Sequence, residues 1–239
     1  MFKYVRYGVK KIYAAIALIS LQIIVLLAVF SAALLTFLFI AKMIFKEKKE
    51  DFDLNAFRFL RSQVSDINTD VMNVFSFLGS HNFLIPANLI LIAYFLFIKK
   101  HRWYSIKVPV VAISSLVLMV GLKNFFQRDR PLTPLFEAAR GYSFPSGHAT
   151  MSITFYGLLI FLVWLNIKNV WLKWLFTILL ALLIAFIGIS RVYLRVHYTS
   201  DVLAGFSIGL MWLLLSLWIL GKLEIYSRRK VDPVVEQAA

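Results

Sequence analysis

Three short polar stretches interrupt an otherwise apolar chain, and their side chains could together carry out phosphoryl transfer. The stretches are Lys123 to Pro131, residues 145–148 (Pro-Ser-Gly-His), and Ser190 to Asp201. They supply cations that can hold an anion, imidazoles and a hydroxyl for proton or group transfer, and a carboxylate that can orient an imidazole. Lipid-facing protein normally excludes such groups, so ionisable residues at membrane depth predict a functional site.

The third polar stretch contains the spacing that is most informative for catalysis. His197 and Asp201 are four residues apart, which places both side chains on one face of a helix. The Asp201 carboxylate can then hold the Nδ1–H of His197 and leave Nε2 free to attack. Arg191 adds a cation six residues before His197. A structural His–Asp pair is the alternative interpretation of this spacing alone.

The second polar stretch has the composition of a helix start. Ser146 is a good N-cap, and Gly147 lets the backbone approach a ligand closely. The free N–H groups of such a helix start bind anions, and His148 lies at that point. A capping turn with an incidental histidine is the alternative.

The first polar stretch contains two cations seven residues apart. Lys123 and Arg130 share one helical face if the helix continues that far. Pro131 then favours a turn away from the helix. Cations at the end of a membrane span are also common anchors, so this stretch alone does not define a site.

The composition predicts an integral membrane protein. Of the 239 residues, 61% are hydrophobic, and the mean hydropathy is +0.79. The net charge is +14, but Lys and Arg cluster at the ends of apolar runs, which indicates membrane anchoring and no nucleic-acid partner. The chain has no cysteine, which excludes disulfides, thiolate chemistry and cysteine metal sites.

Six apolar segments predict an all-α fold, an integral membrane six-helix bundle forming a single domain over residues 1–239. The runs are too long, and alternate too little, for the strands of a membrane barrel. The first begins with basic residues like a signal peptide, but its length favours a retained anchor helix. The segments are Ile12–Ala41, Phe83–Ile98, Val108 to about Phe126, His148–Leu165, Trp171–Ile189 and Val202–Leu220.

The segment between spans one and two, about residues 50–80, predicts an amphipathic interfacial helix. Steps of three and four separate its apolar residues, which therefore share one helical face. They are Phe57, Leu60, Val64, Ile67, Val71, Val74 and Leu78. Such a helix lies on the membrane surface or against the bundle, and a packed connector without a substrate role is the alternative.

The distribution of cations predicts the orientation of the chain in the membrane. The side that carries both termini holds 14 of the 26 Lys and Arg residues, and the other side holds 12. Six of those 12 surround the polar stretches and are candidates for chemistry: Lys123, Arg128, Arg130, Arg140, Arg191 and Arg195. Without them the imbalance places both termini in the cytoplasm. All three polar stretches then meet in one pocket on the outer side.

The three stretches resemble the defining motifs of the type 2 phosphatidic acid phosphatase superfamily, which also includes vanadium haloperoxidases. Lys123 and Arg130-Pro131 match K-x6-R-P, residues 145–148 read P-S-G-H, and residues 190–201 read S-R-x5-H-x3-D. The motifs occupy residues 123–201 in the family's order, with no departure at the defining positions. Six spans fit its bacterial membrane lipid phosphatase branch.

The resemblance implies a role for each matched residue. His197 is the nucleophile, Asp201 orients it, and His148 is the general acid and then the base. Lys123, Arg130, Ser146, Gly147 and Arg191 hold the phosphoryl oxygens. The family is metal-independent, so the chain is expected to need no metal and no cofactor.

The expected function is hydrolysis of a membrane lipid phosphate through a phosphohistidine at the outer face of a bacterial inner membrane. Phosphatidic acid, phosphatidylglycerophosphate, undecaprenyl diphosphate and lipid A are all consistent substrates, and the oligomeric state is open. A phosphotransferase with the same phosphohistidine is the first alternative. A vanadate-binding haloperoxidase shares the cradle, but those enzymes are soluble. A non-catalytic lipid-binding or transport protein is the alternative from another class.

Overall fold

The computed structural model describes residues 2–131, 134–135 and 141–231, with side chains from Leu21 onward except those of Gln22 and Lys230. Over these residues the chain is helical and contains no strand. The α-helices are α1 (Phe2–Phe45), α2 (Asp51–Arg61), α3 (Asp66–Leu78), α4 (His81–Ala93), α5 (Arg102–Phe126), α6 (Gly147–Asn166), α7 (Val170–Tyr193) and α8 (Thr199–Tyr226). A π-helical segment, Tyr94–Ile98, continues α4, and another, Ser227–Val231, continues α8.

Within the described ranges, six helices are long and apolar enough to cross a membrane. They are Ile23–Phe45, His81–Ile98, Arg102–Phe126, Gly147–Asn166, Val170–Tyr193 and Thr199–Arg229. Each predicted apolar segment overlaps one of them, so the predicted all-α membrane bundle is confirmed. Arg140, one of the cations counted around the polar stretches, lies outside the described residues.

Close packing of α8 against α6 fixes the second and third polar stretches relative to each other. A Cβ on Gly205 would lie 2.7 Å from the carbonyl oxygen of Ser146, and one on Gly209 would lie 2.9 Å from that of Thr150. Only glycine permits this approach, as in other close-packed membrane helices. At the same end, the Ser146 N–H donates to the Asp201 carbonyl at 2.9 Å.

The segment between the first two spans forms two amphipathic helices where one helix was expected. The Ser65 hydroxyl accepts a hydrogen bond from the Asn68 N–H at 3.2 Å and so starts a new helix, α3. The break divides the apolar stripe. Phe57 and Leu60 on α2 pack against the bundle, in a cluster with Val192 and Val202.

Three apolar residues of α3, Ile67, Val71 and Val74, lie on its outer surface. Ile67 is 76% exposed and Val74 is 60% exposed, whereas Thr69 and Ser76 on the same helix contact residues of α7. The predicted packing against the bundle is therefore present for part of the segment, and its placement on the membrane surface stays a prediction. One side of the segment packs on the bundle, and the other offers an apolar surface that suits the membrane interface.

Candidate active site

Four helix ends bring the polar stretches together at one end of the bundle. These are the last turns of α5 and α7 and the first turns of α6 and α8. Gln127 adopts a left-handed conformation with φ of 48°, and its N–H bonds to the Lys123 carbonyl at 3.0 Å. This cap ends α5 before Arg130, so Lys123 and Arg130 do not share a helical face as the spacing alone suggested. Arg130 reaches the site from the segment that follows.

His197 is almost completely buried and lies beside Arg130. It is 2% exposed, and its Nε2 atom is 3.3 Å from Nη1 of Arg130, which also donates to the Val196 carbonyl at 2.7 Å. A guanidinium group can only donate hydrogen bonds, so we assign Nε2 as the unprotonated nitrogen and Nδ1 as the one that carries hydrogen. Nε2 therefore holds the lone pair that a nucleophile needs.

Asp201 lies beside His197, but its hydrogen bonds are to other groups. Its Oδ2 atom is 3.6 Å from Nδ1 of His197, which is within ion-pair range and beyond a hydrogen bond. Oδ2 accepts from the Tyr198 N–H at 2.9 Å, and Oδ1 accepts from Arg128 at 2.6 Å. Nδ1 of His197 has no hydrogen-bond partner among the described residues. The predicted pair is therefore adjacent, but the direct hydrogen bond expected from the spacing is not formed.

The predicted phosphate-binding cations donate largely to uncharged oxygens. Lys123 donates through Nζ to the Tyr142 carbonyl at 2.5 Å, and Arg130 donates through Nε to the Gly141 carbonyl at 2.8 Å. Arg191 is 7% exposed and donates through Nη1 to the Ser76 hydroxyl, while its Nε has no partner in the described part of the chain. Lys123 and Arg191, which donate to neutral groups among the described residues, are suited to bind an anion.

The surroundings of His197 favour its neutral form. Burial lowers the pKa of His197 well below its ordinary value, and the charges of Arg130, Lys123 and Arg191 lower it further. The ring is therefore unprotonated at neutral pH. A neutral imidazole among cations is suited to attack an electron-poor atom that carries negatively charged oxygens.

The second polar stretch forms the predicted helix start. The Ser146 hydroxyl caps α6 by accepting from the Ala149 N–H at 3.4 Å. A Cβ on Gly147 would lie 3.5 Å from the Met119 side chain and 3.9 Å from Cε of Lys123. The first turn of α6 thus faces Lys123, and its free N–H groups add to the positive potential there.

An apolar groove leads from His148 along the membrane spans. It has a volume of about 520 Å³ and lies between α4 and α5, with the first turns of α6 at one end. His81, Gly147 and His148 line its polar end, and Leu89 and Ile113 are among its apolar walls. A groove of this size and character accommodates a hydrocarbon chain whose polar end is at the site.

Three contributors to the site carried no assigned role in the sequence analysis. Arg128 bridges Asp53 of α2 and Asp201, and Ser76 of α3 accepts from Arg191. The sequence does single out Asp53, because it lies four residues before Phe57 and so falls on the apolar face of α2. A carboxylate on an apolar helix face indicates a buried, partnered charge. No comparable signal marked Ser76.

Comparison with known proteins identifies the family. The model of the PAP2 superfamily matches residues 104–225, which is half of the chain and includes all three polar stretches. The chain belongs to the PAP2 superfamily. Within the described residues, no group of three or more His, Cys, Asp or Glu side chains could hold a metal ion.

Individual relatives extend this comparison over more of the chain. Phosphatidylglycerophosphatase B of Bacillus subtilis is 33% identical over 147 residues, covering 59% of this chain and 70% of the relative. Dolichyldiphosphatase of Saccharomyces cerevisiae is 30% identical over 64% of this chain and 66% of its own length. The crystal structure of a transmembrane PAP2-type phosphatidylglycerolphosphate phosphatase from Bacillus subtilis superposes with a TM-score of 0.74 at 28% identity, covering 81% of this chain and 96% of that one. The chain is therefore an integral membrane hydrolase related to lipid phosphatases.

Proposed function

We propose that this protein hydrolyses a membrane lipid phosphate through a phosphohistidine formed on His197. The observation that carries the proposal is the arrangement around Nε2 of His197, a neutral and buried nucleophile beside Arg130. An apolar groove that ends at His148 supports it. The surrounding cations match a phosphoryl group, which carries a charge of about −1.5 to −2 at neutral pH.

In the first step, the Nε2 lone pair of His197 attacks phosphorus, and the phosphorus–oxygen bond to the lipid breaks. His148 donates a proton to the leaving oxygen, so the lipid departs as an alcohol or as a lipid with one phosphate fewer. Lys123, Arg130 and Arg191 bind the phosphoryl oxygens, together with the Ser146 hydroxyl and the Gly147 N–H. The nearby Asp201 carboxylate stabilises the positive charge that develops on the imidazole.

In the second step, water attacks the phosphohistidine. His148, now neutral, accepts a proton from that water, the phosphorus–nitrogen bond breaks, and its electron pair returns to Nε2. Inorganic phosphate leaves, and both histidines return to their starting states. No redox partner is required by this balance.

The groove favours a lipid as substrate over a soluble phosphate ester. The tail lies along α4 and α5, which brings the phosphate to His148 and Gly147 at the end of the groove. Phosphatidylglycerophosphate is the first candidate because a relative matched over 70% of its length is a phosphatidylglycerophosphatase B. Phosphatidic acid, undecaprenyl diphosphate and a lipid A phosphate complete the panel to be tested.

We further propose that the site faces the outside of a bacterial inner membrane and that both termini are cytoplasmic. The excess of Lys and Arg on the terminal side supports this orientation. The chain has no cysteine, so single exposed positions can be replaced by cysteine and labelled without background. In intact cells, an impermeant maleimide should label Asp70→Cys on α3 and leave Lys99→Cys unlabelled. The reverse pattern would overturn the orientation.

Phosphate release from the lipid panel in EDTA tests the function. Wild-type protein should release phosphate, and His197→Asn should not. His101→Asn is the matched control, because Asn keeps the capping bond that the His101 ring accepts from the Tyr104 N–H at the other end of the bundle. Full activity of His197→Asn would disprove the mechanism, and lipid binding without hydrolysis by wild type would favour a non-catalytic protein. A phosphorylated acceptor on thin-layer analysis would identify a transferase.

A further inference from the structure

Asp53 is a buried carboxylate that belongs to none of the three polar stretches. It lies in the first turn of α2, is 1% exposed, and accepts three hydrogen bonds. Ser200 donates its N–H to Oδ1 at 2.8 Å and its hydroxyl to Oδ2 at 2.6 Å, and Arg128 donates through Nη2 to Oδ2 at 2.9 Å. An interfacial helix thus reaches the residue next to Asp201.

Arg128 connects Asp53 to the candidate catalytic residues. Its Nη1 donates to Oδ1 of Asp201 at 2.6 Å and to the Ser200 hydroxyl at 2.8 Å, and its guanidinium lies 4.0 Å from the centre of the Tyr198 ring. The Tyr198 N–H holds Oδ2 of Asp201 at 2.9 Å, and Arg128 holds Oδ1. The two bonds together fix the carboxylate with Oδ2 on the His197 side of the site.

Because Asp53 is negatively charged, Arg128 has an anionic acceptor on each side, Asp53 and Asp201. A guanidinium between two carboxylates is fixed at both ends, because each amino group has its own anionic acceptor. An amide at position 53 would retain one acceptor oxygen but would also place an N–H₂ group against donors. Helix-dipole stabilisation does not require the burial, since the exposed Asp51 supplies a negative charge in the same turn.

We infer that Asp53 is a positioning residue for the reaction, holding Arg128 and Ser200 so that Asp201 stays oriented toward His197. This inference rests on the proposed phosphatase function. It makes the interfacial helix α2 part of the active site, although α2 lies outside the family's matched region of residues 104–225. Asp53 acts on the chemistry and not on phosphate binding, because its hydrogen bonds within the described residues are to Arg128 and Ser200.

Steady-state kinetics of Asp53→Asn against Asp51→Asn tests the inference. Both variants remove one charge from the same helical turn, but only the first breaks the bridge. Asp53→Asn should lower kcat by about ten- to a hundredfold with KM unchanged, as expected for a misoriented group. Asp51→Asn should retain wild-type kcat. A rise in KM at constant kcat, or wild-type kinetics, would overturn the inference.

Two further measurements test the inference even if Asp53→Asn folds poorly or the lipid is misidentified. Arg128→Lys keeps Asp53 and Asp201 intact but replaces the planar guanidinium, which reaches both carboxylates through separate nitrogens, by a single ammonium. It should therefore lower kcat similarly, and the double variant should be no worse than the poorer single variant. Additive losses would contradict one shared bridge. If wild type releases no phosphate from any lipid, the proposed function fails. An Asp53→Asn structure with Arg128 still on Asp201 would then overturn the inference independently.

Discussion

The two ends of the bundle both bury charged side chains, but they neutralise them differently. At the end where α8 finishes, Lys107 donates to Glu224 at 2.7 Å with the two side chains 7% and 17% exposed. Arg228 bonds to the other oxygen of the same carboxylate at 2.8 Å. Every buried charge of this cluster therefore has an opposite charge beside it.

At the opposite end, the cations of the described residues are not all paired with a carboxylate. Asp53 and Asp201 are both bonded to Arg128. Lys123 and Arg191 have no carboxylate partner among the described residues and donate to a carbonyl and a hydroxyl. Buried charge alone does not distinguish a functional site from a structural ion pair, whereas an unneutralised excess of one sign indicates where a ligand of the other sign binds.

Removing one buried cation should mainly lower activity at the site end and mainly lower stability at the other end. The larger effect is the loss of activity. Arg191→Met should lower kcat/KM for a lipid phosphate by about 10²- to 10³-fold, because a donor to the phosphoryl oxygens is lost. Its stability should fall less than that of Lys107→Met, since no carboxylate loses its partner. Kinetics and thermal unfolding of the purified variants in the same detergent check both statements. Wild-type kcat/KM in Arg191→Met would contradict the assignment of Arg191 to phosphate binding.

Lys107→Met should lower stability and leave kcat/KM unchanged. We expect a loss of about 1–3 kcal/mol, below the usual cost of breaking a buried pair, because Glu224 keeps its bond to Arg228. Unfolding at increasing denaturant measures the loss. The double variant Lys107→Met/Glu224→Met should recover most of it, since both buried charges are then removed. A double variant as unstable as the single one would show that the charges are not coupled.

The sequence predicts the spans and the meeting of the polar stretches because both follow from local properties. Hydropathy over a span-length window located the membrane helices, and alternation of direction then placed Lys123, His148 and His197 at the same end. The N-cap role of Ser146 was likewise predictable, because it depends only on neighbouring residues. The roles of these residues in the reaction stay predictions.

The contacts that differ from expectation depend on packing between distant segments. Arg128 and Asp53 are 75 residues apart in the chain, and no local pattern couples them. The left-handed cap at Gln127 ends α5 early, and such a conformation at a residue other than glycine is not signalled by residue type. Asp201 hydrogen-bonds to Arg128 and lies 3.6 Å from Nδ1 of His197, since a cation is the stronger partner for a buried carboxylate.

Removing a helix cap from the interfacial segment, which lies at the site end, should lower stability less than Lys107→Met does. Ser65→Ala removes the N-cap of α3 and should lower stability by about 1 kcal/mol. Ser65→Asp is the control, because a carboxylate caps equally well. Thermal unfolding of the two variants measures the difference, and equal loss in both would show that the cap is not responsible.

The smallest effect concerns the pH dependence of the two ends. His197 attacks only when neutral, and burial together with Arg130, Lys123 and Arg191 lowers its pKa, so the acid limb of kcat/KM should lie below the ordinary histidine range. Arg130→Gln removes one of these cations and should move the acid limb to higher pH, whereas Lys107→Met should not move it. Profiles of kcat/KM against pH check this, and an acid limb moved to lower pH in Arg130→Gln would contradict the sign.

Trapping of the phosphoenzyme tests the central claim most directly. Wild-type protein mixed briefly with a ³²P-labelled lipid phosphate and quenched in alkali should carry label that is stable to base and released by acid, as expected of a phosphohistidine. Mass spectrometry should place the phosphate on His197, and His197→Asn should carry none. Label on another residue, or rapid phosphate release without any labelled protein, would contradict the account.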